Sequence, residues 1–169
     1  MLFTDIRSLE SQAATVKGSL AADDPVWEDG DVRPRETVLV EGRVSAAGSG
    51  RYYFSGRMSG SLAMPCRRCL KSAEATVREE LHLLFAETGA EEADDPDVFV
   101  FSPQAAELDL RPAVREQWLL AAPTFLECRE QCRGLCARCG ADLNEDPCDC
   151  PPETDNRWSA LRSLGELSQ

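Results

Sequence analysis

Histidine is nearly absent from this 169-residue chain: His82 stands alone, so any mechanism that needs a histidine pair is excluded and only a Cys–His couple survives the count. Basic residues are scarce relative to acidic ones. Eighteen Lys+Arg face 30 Asp+Glu, a formal net charge of −12. Broad nucleic-acid binding is poorly served by that balance, because affinity for a phosphate backbone comes from Lys and Arg displacing counterions. Long apolar runs are missing too. The longest near a helix, Trp118-Leu119-Leu120-Ala121-Ala122, falls far short of the ~20 residues of a span, so no membrane association is expected. Residues Met1 to Arg7 show no basic region followed by an apolar stretch, which points to a cytoplasmic setting. No glycine-rich phosphate loop, Ser-His-Asp set or acid pair at useful spacing stands out, so no catalytic residue and no small-molecule substrate is expected.

What is present is enough apolar material, 43%, for one core, and a length that suits one domain with a small appendage. Up to about Pro123 the pattern alternates as strands do. Val38, Val40 and Val44 share one parity within 36–46. Tyr52, Phe54, Met58, Leu62 and Met64 continue it after the turn Gly48-Ser49-Gly50, and Ala75, Val77, Leu81, Leu83 and Phe85 follow. Gly56 and Gly60 fall on the apolar parity, which predicts bulges or a strong bend. Further strands are expected at Phe3–Leu9, Thr15–Leu20 and Val98–Phe101. Pro112 opens a helix that ends near Pro123 with Val114, Trp118 and Ala121 along its stripe, and Asp155 caps a second over Asn156–Leu167. The fold class expected is α+β. Residues 1–125 form an antiparallel, strongly bent, barrel-like meander with one packed helix. Residues 126–169 form a cysteine-rich, zinc-stapled tail that ends in a short helix docked on it.

Eight cysteines carry the chemistry. Cys66-Arg67-Arg68-Cys69 sits at the end of the longest strand, and about sixty residues later come Cys128, Cys132, Cys136 and Cys139, then Cys148 and Cys150. In a reducing compartment, clustered cysteines of this spacing are metal ligands more often than disulfides. Zn²⁺ takes four thiolates in a tetrahedron, and a CxxC turn presents two sulfurs to one ion. Gly140 permits the left-handed turn that closes the knuckle after Cys139. The expected sites are Cys136, Cys139, Cys148 and Cys150 for one Zn²⁺, and Cys66, Cys69, Cys128 and Cys132 for the other, with Cys132 and Cys136 able to exchange places. Disulfides, an iron–sulfur centre and a thiol redox protein are the alternatives.

Arg67, Arg68, Arg129, Arg133 and Arg138 form a basic group among these cysteines. Charge compensation for thiolate–zinc sites is the simpler account. Contact with RNA or a partner through Arg67, Arg68, Arg133 and Arg138 is the functional one. His82 lies on the parity opposite to Leu81 and Leu83, facing solvent or a sheet neighbour, and the acidic run Glu91 to Asp97 reads as a solvated loop.

Four stretches together resemble the YceD family, the large ribosomal RNA subunit accumulation proteins. They are Met64-Pro65-Cys66-Arg67-Arg68-Cys69-Leu70, Leu108-Asp109-Leu110 before a helix, the run Cys128 to Asn144 with Cys148 and Cys150 after it, and Asp155-Asn156-Arg157-Trp158. Asn156 stands where the family has proline. The resemblance implies a non-catalytic factor for the synthesis, processing or assembly of large-subunit ribosomal RNA. Its expected partners are ribosome-assembly proteins or a pre-ribosomal particle. Two Zn²⁺ on eight thiolates would take the formal charge from −12 to −16, which favours a basic protein partner and confines RNA contact at the knuckles to their arginines.

Overall fold

The computed structural model describes residues 1–146 and 148–151. The predicted helix over Asn156–Leu167 lies outside them. The order of elements is β1 (Phe3–Asp5), α1 (Ile6–Leu9), β2 (Ala14–Ala21), β3 (Thr37–Gly48), β4 (Arg51–Pro65), β5 (Ser72–Glu87), β6 (Val98–Phe101), β7 (Glu107–Asp109) and α2 (Arg111–Ala121), with a 3-10 turn at Glu91–Asp94. Strands β2 to β6 lie side by side in chain order, and β1 pairs with β7 in a separate two-stranded ribbon.

The alternating segments form the expected meander, β2 to β5, with antiparallel registers throughout. Three details correct the sequence reading. Strand β6 joins β5 in parallel, Leu84 opposite Val98, so the sheet is mixed. It is also open: β2 and β6 are its two edges and do not pair with each other. Finally, the segment Phe3–Leu9 is not one strand. Asp5 accepts from the Ser8 amide at 2.9 Å and caps a four-residue helix whose Ile6 and Leu9 turn inward.

No bulge occurs at Gly56 or Gly60. The β4–β5 register runs unbroken from Arg51↔Ala86 to Pro65↔Ser72. These glycines instead admit close neighbours. Gly56 faces Gly42 across the strands, where a Cβ would stand 2.7 Å from the Gly42 Cα, and a Cβ on Gly60 would come within 2.9 Å of the Trp118 ring. That ring, fully buried, is the keystone of α2 on the sheet. Val114 and Ala113 bury beside it, and the indole N–H donates to the Val32 carbonyl at 2.7 Å. The core fills one face of the sheet with Val38, Val40, Val44, Phe54, Met58, Leu62, Leu81 and Leu83. The loop between β2 and β3 is tied to the same helix. Arg115 donates to Asp31 at 2.7 and 3.0 Å, and the Trp27 indole N–H bonds the Ala21 carbonyl.

Candidate metal centres

The β4–β5 hairpin ends in a metal-type knuckle. Its last ladder pair is Pro65↔Ser72, and the six residues between are Cys66 to Lys71. The Cys66 amide donates to the Lys71 carbonyl at 2.8 Å, and the Leu70 amide returns to the Cys66 carbonyl at 2.9 Å. The turn closes only with Leu70 in the left-handed region, φ 60°. Cys136 to Ala141 repeats this pattern. Cys136 N–H bonds Ala141 at 2.8 Å, Gly140 N–H bonds Cys136 at 2.9 Å, and Gly140 has φ 73°.

Around these turns the eight thiols gather in two groups, Cys66, Cys69, Cys128 and Cys132 in one and Cys136, Cys139, Cys148 and Cys150 in the other, with all sulfurs of a group within 4.8 Å of one another. Cys132 thus sits with the first group and Cys136 with the second. In the first group the Cys66 and Cys132 sulfurs are 3.8 Å apart and those of Cys69 and Cys128 are 3.6 Å apart. Four thiolates at a Zn–S distance of ~2.3 Å define a tetrahedron with edges of about 3.8 Å, so the spacing fits such an ion. All eight cysteines are free thiols.

Electrostatics prepares each group unevenly. Backbone hydrogen bonds, first from Cys128 and then from Cys69, bring the Cys66 thiol down to about 6. The Cys139 and Arg138 amides likewise bring Cys136 down to about 6. Desolvation beside the other thiols, with shared hydrogen bonds to Cys132 and Cys69, pushes the otherwise exposed Cys128 up to about 12, and a shared hydrogen bond with Cys139 pushes Cys150 up to about 12. The first cysteine of each CxxC is thus the thiolate that backbone hydrogen bonds stabilise, for Cys66 chiefly from the Cys128 segment, while Cys128 and Cys150 need a cation to hold them ionised.

The two groups are built into one another. Leu135 donates its amide to the Arg68 carbonyl at 3.1 Å. Gly134, φ 76°, lets the chain pass there, because a Cβ would stand 3.0 Å from that oxygen. Asn144 reaches back from the second unit. Its amide nitrogen lies 3.6 Å from the Cys132 sulfur, and its oxygen accepts from the Arg133 N–H at 2.8 Å. Lys71, at the end of the first knuckle, pairs with Asp142 at 2.8 Å and with Glu145. That contact holds the Asp142 carboxyl down at about 2. Burial differs between the groups. Cys66, Cys69 and Cys132 are buried and Cys128 is exposed, whereas Cys139 is exposed and Cys136, Cys148 and Cys150 are half-buried.

The arginines predicted as a contact cluster divide. Arg67 and Arg68 both pair with Glu127, and Arg68 also donates to the Cys132 carbonyl at 2.8 Å. Arg133 and Arg138 are exposed on the second unit and make no ion pair among the described residues. Leu70, Glu127 and the Lys71–Asp142 pair escaped sequence reasoning. Asn144 carried a signal, the Asp-x-Asn turn in which Asp142 accepts from the Asn144 amide at 2.9 Å. His82 lies on the exposed sheet face, its Nδ1 2.7 Å from the Tyr53 hydroxyl. No described helix is long and apolar enough to cross a membrane.

A mixed sheet whose longest hairpin ends in a cysteine knuckle, joined to a second knuckle downstream, defines a class of protein with paired four-cysteine groups. The chain belongs to the YceD family: the family model for large ribosomal RNA subunit accumulation protein YceD matches residues 54–165, which include both groups. Among curated proteins it is similar to the large ribosomal RNA subunit accumulation protein YCED homolog 1, chloroplastic, of Arabidopsis thaliana. The two are 26% identical over 136 residues, 64% of this chain and 42% of the relative. The Zea mays protein of the same name is 24% identical over 189 residues, 95% of this chain and 64% of the relative. The uncharacterized protein YlbN of Bacillus subtilis is 28% identical over 138 residues, 79% of this chain and 77% of the relative. The chain thus spans less than two-thirds of the length of either plant relative. No solved structure matches.

Proposed function

We propose that this protein is a non-catalytic, zinc-binding accessory factor in the accumulation of large-subunit ribosomal RNA, acting by holding a protein or ribonucleoprotein partner during its synthesis, processing or assembly. The observation that carries this reading is the family match spanning both four-cysteine groups. Each group would hold one Zn²⁺ through four thiolates, which fills the ion's tetrahedron and leaves no position for a substrate or an activated water. Such ions contribute folding energy: they fix the hairpin tip and the segment from Cys128 to Cys150 as one unit, at the boundary between a sheet domain, 1–125, and a zinc-stapled tail, 126–169. Eight free thiols suit a reducing compartment, the cytoplasm. The acidic charge suits basic ribosome-assembly proteins or the protein surface of a pre-ribosomal particle.

A second reading, direct RNA contact by the knuckles, is favoured by the exposure of Arg133 and Arg138. It is the weaker of the two, since Arg67 and Arg68 already serve Glu127. The test is depletion of the protein in its own cells. The ratio of large- to small-subunit ribosomal RNA should fall and should recover with the wild-type chain but not with Cys66→Ser. An unchanged ratio on depletion overturns the proposal.

A further inference from the structure

The sheet has one face under α2 and one face open. On the open face the side chains of β2 to β5 alternate outward, and in a protein of net charge −12 this face is locally basic. Lys17, Arg43, Arg57 and Arg78 are exposed there against Glu41, Glu74 and Glu80, and Glu74 is paired with Arg35. Register sets the arginines in order. Arg43 lies opposite Ser55, Arg57 is two residues further along β4, and Arg78 lies opposite Ser59, two further again. With ~4.8 Å between strands and ~3.4 Å per residue, successive arginines stand about 8 Å apart on a diagonal crossing three strands.

Beside this diagonal is an aromatic pair, Tyr53 and His82, with ring centroids 6.2 Å apart and planes at 19°. Tyr53 is 37% exposed. Among the described residues Arg43 and Arg78 make no ion pair. Arg57 and Lys17 share Glu41 at 3.2 and 3.9 Å, contacts between exposed groups that a polyanion can replace.

We propose that this open face binds a single strand of RNA, its phosphates tracked by Arg43, Arg57 and Arg78 and a base stacked on Tyr53. The combination favours RNA over an acidic protein surface. A line of guanidinium groups running past an exposed aromatic ring matches a backbone with bases beside it, whereas an acidic peptide has no use for the ring. The inference rests on the reading of the protein as an rRNA factor and adds a surface to it, away from the metal centres. The residual acidity of the protein makes the affinity weak and steeply salt-dependent.

The test is fluorescence anisotropy of the full, zinc-loaded chain with an unstructured single-stranded RNA 12-mer, titrated at several salt concentrations. The variant Arg43→Ser/Arg57→Ser/Arg78→Ser should lose at least tenfold in affinity and flatten the slope of log K against log salt by about two, following the ~0.7 per phosphate contact of single strands. Tyr53→Ala should lose affinity at an unchanged slope. Far-UV circular dichroism and the thermal midpoint should match the wild type, since all four side chains are exposed. Absence of RNA binding by the wild type at low salt overturns the inference. So does binding that survives the triple variant but is lost in Arg133→Ala/Arg138→Ala, or capture of a basic or acidic protein by this face with no RNA. An rRNA defect on depletion that the triple variant fully rescues overturns the sheet-face site and leaves the accessory-factor reading standing.

Discussion

Leu70 and Gly140 occupy the same place in two turns with the same hydrogen bonds, one with a side chain and one without. Both have positive φ, 60° and 73°, and both return an amide to the first cysteine of their knuckle at 2.9 Å. The left-handed conformation costs an L-residue roughly 1–2 kcal/mol, and glycine escapes that cost at the expense of greater freedom when unfolded. Leu70 is 64% exposed, so its side chain recovers little by burial. Leu70→Gly should therefore raise stability by about 0.5–1 kcal/mol with metal binding intact, and Gly140→Leu should lower it by about 1 kcal/mol. Urea unfolding of the metal-loaded protein measures both. A loss of stability in Leu70→Gly would mean that the leucine serves packing in the knuckle.

Asn144 ties the second unit to the first four-cysteine group through the Cys132 sulfur and the Arg133 amide. Outer-shell partners of this kind tune affinity by about 10–100-fold when removed. Asn144→Ala should weaken metal retention in competition with a chromophoric chelator by an amount in that range, for the ion held by Cys66, Cys69, Cys128 and Cys132. Retention equal to the wild type would show that the amide only orders the turn after Asp142.

The fit of α2 on the sheet depends on Gly60. A Cβ there would meet the Trp118 ring at 2.9 Å and the Thr37 carbonyl oxygen at 3.0 Å. Gly60→Ala should cost about 1–3 kcal/mol by overpacking. Trp118→Ala should cost about 3–5 kcal/mol, as it empties the largest buried site. Thermal and urea denaturation report both, and a neutral Gly60→Ala would show that the helix can slide on the sheet.

Asp31 is held below its ordinary value of 3.8, first by the hydrogen bonds of Arg115, against a desolvation cost. A depressed carboxyl stabilises the fold when ionised. Its contribution is therefore fully present above the unfolded value near 3.8 and is lost as pH falls through the lower folded value. Wild type and Asp31→Asn should differ in stability at pH 7 and converge as the pH drops below 3.8. A difference independent of pH would mean that the loop is held by the neighbouring Trp118–Val32 bond instead.

The strands and α2 were legible because the apolar parity of residues such as Val38, Val40, Phe54 and Leu83 records a face that is buried. Cysteine spacing carried the site further than spacing alone usually does, since a CxxC at a hairpin tip leaves its sulfurs little choice of direction. The bulge expected at Gly56 and Gly60 is absent because a missing side chain marks close approach as readily as a bulge, and the approaching groups, Gly42 and Trp118, lie 14 and 58 residues away in sequence. The parallel pairing of β6 was illegible for a similar reason: a four-residue run such as Val98–Phe101 contains nothing that states its direction. At Phe3–Leu9 a local hydrogen bond, Ser8 to Asp5, overrode the apolar alternation.

Metal stoichiometry tests the central claim most directly. Native mass spectrometry of the freshly purified chain, with elemental analysis alongside, should find two Zn²⁺ per chain, one in Cys66→Ser and one in Cys148→Ser, with all thiols reduced. A metal-free chain with its cysteines paired as disulfides, or the loss of both ions from either single variant, would contradict two separate four-cysteine sites.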